Sequence, residues 1–101
     1  RFADRPDVTQ YAGLVNAYCW SIYEESDDSA ALNAATMAIE RVAASSDAEW
    51  AHIDTYAALL HKTGRNTDAL REAERALKAG TAVGADVSET AKLIETIKAA
   101  K

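Results

Sequence analysis

Asn16, Trp20 and Tyr23 follow one another at spacings of four and three residues, so a helix carrying them presents an amide, an indole and a phenol on one face. Amphipathic aromatics combine large apolar area with a polar tip, which is the chemistry of a binding anchor and not of bond making. The other groups with ligating or catalytic chemistry do not combine. His52 and His61 are nine residues apart, so at about 100° per residue they point to opposite sides of one helix and cannot share a metal ion. Cys19 is the single cysteine; nucleophilic work would require an exposed thiolate with a base in reach, and neither is legible in the sequence. The acidic stretch Glu24-Glu25-Ser26-Asp27-Asp28 lacks the alternating ligands and central glycine of a calcium loop. Gly80 to Gly84 is not followed by a Lys-Ser or Lys-Thr pair, so it is a connector and not a phosphate loop. These absences predict no catalysis, no cofactor and no metal.

The elements that must position the anchor face are helices. Alanine is the most frequent residue, and Gly and Pro are scarce, a balance that favours helix because Ala loses no side-chain entropy there. Punctuation divides the chain into five. The first is predicted from about Val8 to Glu25, with Asp7 and Gln10 spaced as a capping box. After the polar break Ser26-Asp27-Asp28-Ser29, a second runs from about Ser29 to Ala44, with Leu32, Ala35, Ile39 and Val42 on one stripe. Ser46 and Glu49 predict a capping box for a third, about Asp47 to Thr63, ended by Gly64 in a left-handed conformation. Asn66 restarts the chain. A fourth, about Thr67 to Ala79, is stopped by Gly80, and Asp86 with Glu89 opens a fifth from about Val87 to Ala100. Connections this short make neighbouring helices antiparallel.

At 101 residues the chain fits one domain. A net charge of -5 without a Lys/Arg cluster would repel the phosphate backbone, which excludes DNA and RNA as expected partners. No apolar run approaches the ~20 residues that span a bilayer, so membrane insertion is not expected. One cysteine forbids an internal disulfide without separating a cytoplasmic from a periplasmic setting. The start, Arg1-Phe2-Ala3-Asp4, has neither an initiator Met nor a signal-peptide pattern, and predicts a piece of a longer protein.

Two helices share a pattern: Ala31-x3-Ala35-x2-Ala38-Ile39 matches Ala69-x3-Ala73-x2-Ala76-Leu77, 38 residues apart. The pattern resembles the tetratricopeptide repeat, a ~34-residue unit of two antiparallel helices with small residues where backbones touch. An insertion of four near Ser45 to Ala48 accounts for the longer period. The resemblance places Ile53, Tyr56-Ala57, Leu60 and Gly64 at the family's leading-helix positions. Val15, Tyr18-Cys19, Ile22 and Ser26 take the same offsets in unit one, and Val87, Thr90-Ala91 and Ile94 in the last helix. It covers about Ala12 to Ala100 and departs where Ala35 and Ala73 replace an aromatic and Ala43 and Thr81 replace the terminal Pro. The implied architecture is all-α: antiparallel helix pairs in two repeats, about 12–45 and 50–83, with a capping helix at about 87–100. Cys19 and Ala69 are then buried at close contacts between paired helices, with Ala31 expected beside Cys19.

In this family the leading helix of each unit lines a concave groove. The resemblance maps groove positions to Gly13, Asn16, Ala17, Trp20 and Tyr23 in unit one, and to Ala51, Asp54, Thr55, Ala58, His61 and Lys62 in unit two. Asn16, Trp20, Tyr23, Asp54 and His61 are the expected protein-binding residues. The family's clamp for a C-terminal carboxylate is not reproduced: Asn16 is the one candidate polar group, with Thr55, Ala85 and Glu89 at the other places. The implied function is a non-catalytic scaffold for a protein or peptide partner. A second resemblance, carried by Trp20-Ser21-Ile22-Tyr23-Glu24 and Asp54-Thr55-Tyr56-Ala57-Ala58-Leu59-Leu60, is to helical tails that follow thioredoxin-like domains in bacterial envelope proteins. No Cys-x-x-Cys is present, so this alternative implies a structural or dimerising tail, with Trp20 and Tyr23 packed under other polypeptide or against a second copy.

Overall fold

The computed structural model describes residues 8–44 and 48–99, with side chains in the first helix from Gly13 onward. Among these residues every regular element is helical: α1 (Val8–Glu25), α2 (Ser29–Ala44), α3 (Trp50–Lys62), α4 (Asn66–Ala82) and α5 (Ser88–Ala99). The Asp7 and Ser46 caps, the expected helix start at Asp47 and the helix end at Ala100 lie outside the described residues.

The first two helices have the expected bounds, set by local chemistry. Asp28 Oδ2 accepts from the Ala31 amide at 3.3 Å, and Ser26 Oγ accepts from the Asp28 amide at 3.1 Å, so the polar break satisfies backbone donors exposed at the start of α2. α3 begins three residues later than Asp47. Glu49 is extended (φ -89°, ψ 158°) and is itself the capping residue, its amide donating to His52 Nδ1 at 3.2 Å. Gly64 has φ +87°, and the Arg65 amide reaches back to the Leu60 carbonyl at 2.8 Å, the six-to-one closure that a left-handed residue permits.

Gly80 does not stop α4. The helix runs through it to Ala82, and Gly84, at φ +73°, ends it, with the Ala85 amide bonded to the Gly80 carbonyl at 2.9 Å. Gly80 is instead needed for space, because a Cβ there would collide with Val87 and come within 3.1 Å of the Trp50 indole. Asp86 Oδ1 accepts from the Ser88 amide at 3.1 Å and from the Ser88 hydroxyl, whereas Glu89, the expected second half of a box, pairs with Lys92.

α3 is central: it packs against α1, α2, α4 and α5, and α2 also packs on α1, α4 on α5. This explains why Ala57, Ala58, Leu59 and Leu60 are all buried although they point around the whole helix. Contacts between the ends of elements give the directions. Lys62, the last residue of α3, bonds the Tyr23 carbonyl near the end of α1, and Asp54, early in α3, bonds Thr90, early in α5. α1, α3 and α5 thus run the same way.

Cys19 and Ala69 are fully buried, as are Ala57, Ala73 and Ala76 along the α3–α4 contact. Cys19 and Ala57 are equivalent under the 38-residue shift, as are Ala35 and Ala73, and all four are buried to within 1%. Ala31 and Ala38 are half-buried where Ala69 and Ala76 are closed. The neighbour of Cys19 is Ala35 and not Ala31: the thiol donates to the Ala35 carbonyl at 3.2 Å. The turn between α1 and α2 centres on Asp27, and residues eight positions before and after the centre of an antiparallel turn come level.

Candidate functional site

The faces of α1, α3 and α5 enclose an open cleft of about 260 Å³. Trp20 and Tyr23 come from α1, Asp54, Ala58 and His61 from α3, and Glu89, Lys92, Leu93 and Thr96 from α5. Apart from the adjacent Lys92 and Leu93, each set falls at spacings of three, four or seven, the positions that share a helical face.

The aromatic wall is ordered by contacts on both sides. The Trp20 and Tyr23 rings stack with centroids 4.9 Å apart and an interplanar angle of 29°. The Lys62 ammonium sits 5.2 Å from the Tyr23 ring centroid, donates to the Tyr23 carbonyl and lies 3.8 Å from Asp27. A cation over the ring face and a bond to the same residue's backbone together hold Tyr23 in place.

The opposite walls are polar. Asp54 Oδ1 accepts from the Thr90 hydroxyl at 2.8 Å, which ties α3 to α5. Burial pushes the Asp54 carboxyl above its usual range; the Thr90 bond opposes that shift and the nearby Glu89 carboxylate adds to it. Lys92 lies 3.6 Å from Glu89. His61 Nδ1 is 2.9 Å from Asn66 Oδ1; with the amide oxygen as acceptor, Nδ1 carries the proton and Nε2 is the remaining acceptor of the neutral ring.

Four of the five expected residues, Trp20, Tyr23, Asp54 and His61, therefore line one cleft, and Asn16 does not. Its amide oxygen is buried without a hydrogen-bond partner. Angle does not exclude Asn16, since Tyr23 lies between it and Cys19 around the helix and still lines the cleft; Asn16 sits a turn before Trp20, about 6 Å nearer the start of α1. Thr55 is also absent from the cleft: it is buried, and its hydroxyl is spent on the Ala51 carbonyl at 3.0 Å. The α5 wall was missed as a set. Its signal is in the sequence, since a 34-residue shift carries Ala58 to Lys92 and Lys62 to Thr96, whereas the comparison with the carboxylate clamp draws in only Glu89 of the α5 lining.

His52 is buried at the start of α3 as a partner of Glu49, away from the cleft that His61 lines. Burial pushes the Cys19 thiol above its ordinary value, opposite to what a nucleophile needs. Among the described residues no three His, Cys, Asp or Glu side chains converge as metal ligands, and no helix is long and apolar enough to cross a membrane.

Asp54 yields a test of the cleft's electrostatics. A carboxyl whose folded pKa is raised makes the folded state the better proton acceptor, so its stabilising effect is present below the unfolded pKa and is lost as pH rises through the folded pKa. Asp54→Asn, which keeps an oxygen for Thr90, is expected to melt higher than the parent at neutral pH. The two curves should converge when the pH is taken below the ordinary carboxylate range. A lower melting temperature for the variant at neutral pH would show that the ionised carboxylate is net stabilising.

The chain matches no protein-family model, no curated protein and no solved structure.

Proposed function

We propose that this chain is a non-catalytic scaffold of tetratricopeptide type, which binds a protein or peptide segment along the cleft between α1, α3 and α5. The observation that carries the reading is the stacked Trp20–Tyr23 pair, half-buried at the wall of a cleft and outside the closed core of Cys19, Ile39, Leu59 and Leu60. Large aromatics that are partly desolvated before binding, with little rotamer freedom left to lose, are suited to act as anchors. The 38-residue correspondence of Cys19 with Ala57 and of Ala35 with Ala73 supports the repeat. The net charge of -5 favours a protein partner over nucleic acid.

Trp20→Ala separates anchor from core. Its thermal stability should stay within about 1 kcal/mol of the parent, near the ordinary range for surface changes. Peptides selected from a random display library on the parent chain should bind the variant about 2 kcal/mol more weakly. Unfolding of the variant would assign the indole to the core, and undiminished peptide binding would move the site elsewhere.

A second reading, a structural or self-associating tail of a larger enzyme such as a thioredoxin-like protein, is favoured by a different surface. Leu14 (68% exposed) and Tyr18 (60%) on α1 and Met37 (67%) on α2 present apolar side chains to solvent. Sedimentation equilibrium separates the two readings: a dimer dispersed by Leu14→Ser with Tyr18→Ser supports the tail, and a monomer at all concentrations supports the scaffold.

A further inference from the structure

We propose that the cleft recognises a cationic side chain of the bound segment, an arginine or lysine seated between the Trp20 ring and the Asp54 carboxylate. The inference rests on the groove reading above and adds the chemistry of its occupant.

The argument is one of charge left over within the cleft. Two cations stand near it, and both are engaged. Lys92 is paired with Glu89 at 3.6 Å, and Lys62 is bonded to the Tyr23 carbonyl and lies 3.8 Å from Asp27. His61 has Nδ1 tied to Asn66. The Asp54 carboxylate has a neutral donor, the Thr90 hydroxyl on Oδ1, and no ion pair among the described residues. A partly buried carboxylate held by one hydroxyl is under-solvated, and a guanidinium or ammonium reaching it would replace the missing water with a charge-assisted hydrogen bond. Trp20 lines the same cleft, and its stacking on Tyr23 fixes the plane of a π-face that attracts a cation within about 6 Å. An anionic segment would instead meet the carboxylate of Asp54, which has no counter-charge among the described residues. A purely apolar one would leave the Asp54 carboxylate buried without a counter-charge, which is costly.

The test uses the whole chain and three end-blocked pentapeptides, Gly-Leu-Arg-Leu-Gly and its Gln and Glu versions at the central position. Binding is followed by NMR titration of the Trp20 indole N–H and, in every variant, of the backbone amides of α1, α3 and α5 at 0.15 M salt. The arginine peptide is expected to bind about tenfold more tightly than the glutamine peptide, the scale of one desolvated cation–π or charge-assisted contact. Asp54→Asn should erase that preference. Glu74→Gln, the same charge change at an exposed position on α4, should leave it intact. Equal binding of the arginine and glutamine peptides, both lost in Trp20→Ala, would overturn the cation and leave the groove standing. Preference for the glutamate peptide, persistence of the arginine preference in Asp54→Asn, or no movement of the indole signal with any peptide would also overturn it. In the last case the library-selected peptides decide the groove reading independently.

Discussion

Leu60→Ala is expected to destabilise the chain by about 2–5 kcal/mol, the range for deleting a buried leucine side chain without full collapse of the cavity. Leu60 is fully buried on α3, the helix that touches all four others, so the surrounding walls are braced from several sides and can relax little. Domains of this size hold only about 5–15 kcal/mol in total, and each kcal/mol moves the melting temperature by about 4–8 °C. The loss should therefore appear as a drop of about 8 °C or more in a thermal melt monitored by circular dichroism. Leu14→Ala is the matched control: the same deletion at a side chain 68% exposed should stay within about 0.5 kcal/mol. Equal effects at the two positions would mean that α3 is not the centre of the core.

Ala69→Leu tests the opposite error, too much volume, and is expected to cost about 3 kcal/mol, the upper end for overpacking a closed site. Ala69 is fully buried on α4, among the alanines at 57, 73 and 76 that let α3 and α4 approach closely. Leucine adds three carbons where no space remains, so the helices must separate or the side chain must leave its rotamer. Ala and Leu are both strong helix formers, so the change isolates packing from helix propensity. Ala82→Leu, on the same helix but exposed, should be nearly neutral. An unchanged melting temperature for Ala69→Leu would remove the small-residue contact that the 38-residue pattern requires.

The two substitutions also mark where the sequence was informative. The resemblance to the repeat implied a buried Ala69 and gave Leu60 one of the family's leading-helix positions, a reading that works because burial on a helix is periodic and the period is visible in one dimension. Asn16 shows the limit of that periodicity. Asn16, Trp20 and Tyr23 share one face within about 60°, so the period does not separate Asn16 from the other two, and only the placement of the neighbouring helices determines how far along that face the cleft extends.

By itself the sequence determined what is local. The bounds of α1 and α2, the closure of α3 at Gly64 and the incompatibility of His52 with His61 in one site all depend on backbone geometry and side-chain bonds within a few residues. The tertiary structure decided what depends on distant neighbours. Gly80 has the composition of a stop, yet α4 continues through it, and glycine is needed there because Trp50 and Val87 occupy the space a Cβ would take. Ala35 replaced Ala31 as the partner of Cys19 through the position of a turn centre. The cleft itself brings Trp20, Asp54 and Lys92 together from helices more than thirty residues apart. Local propensity specifies each of those helices, but packing around α3 determines that their polar faces meet.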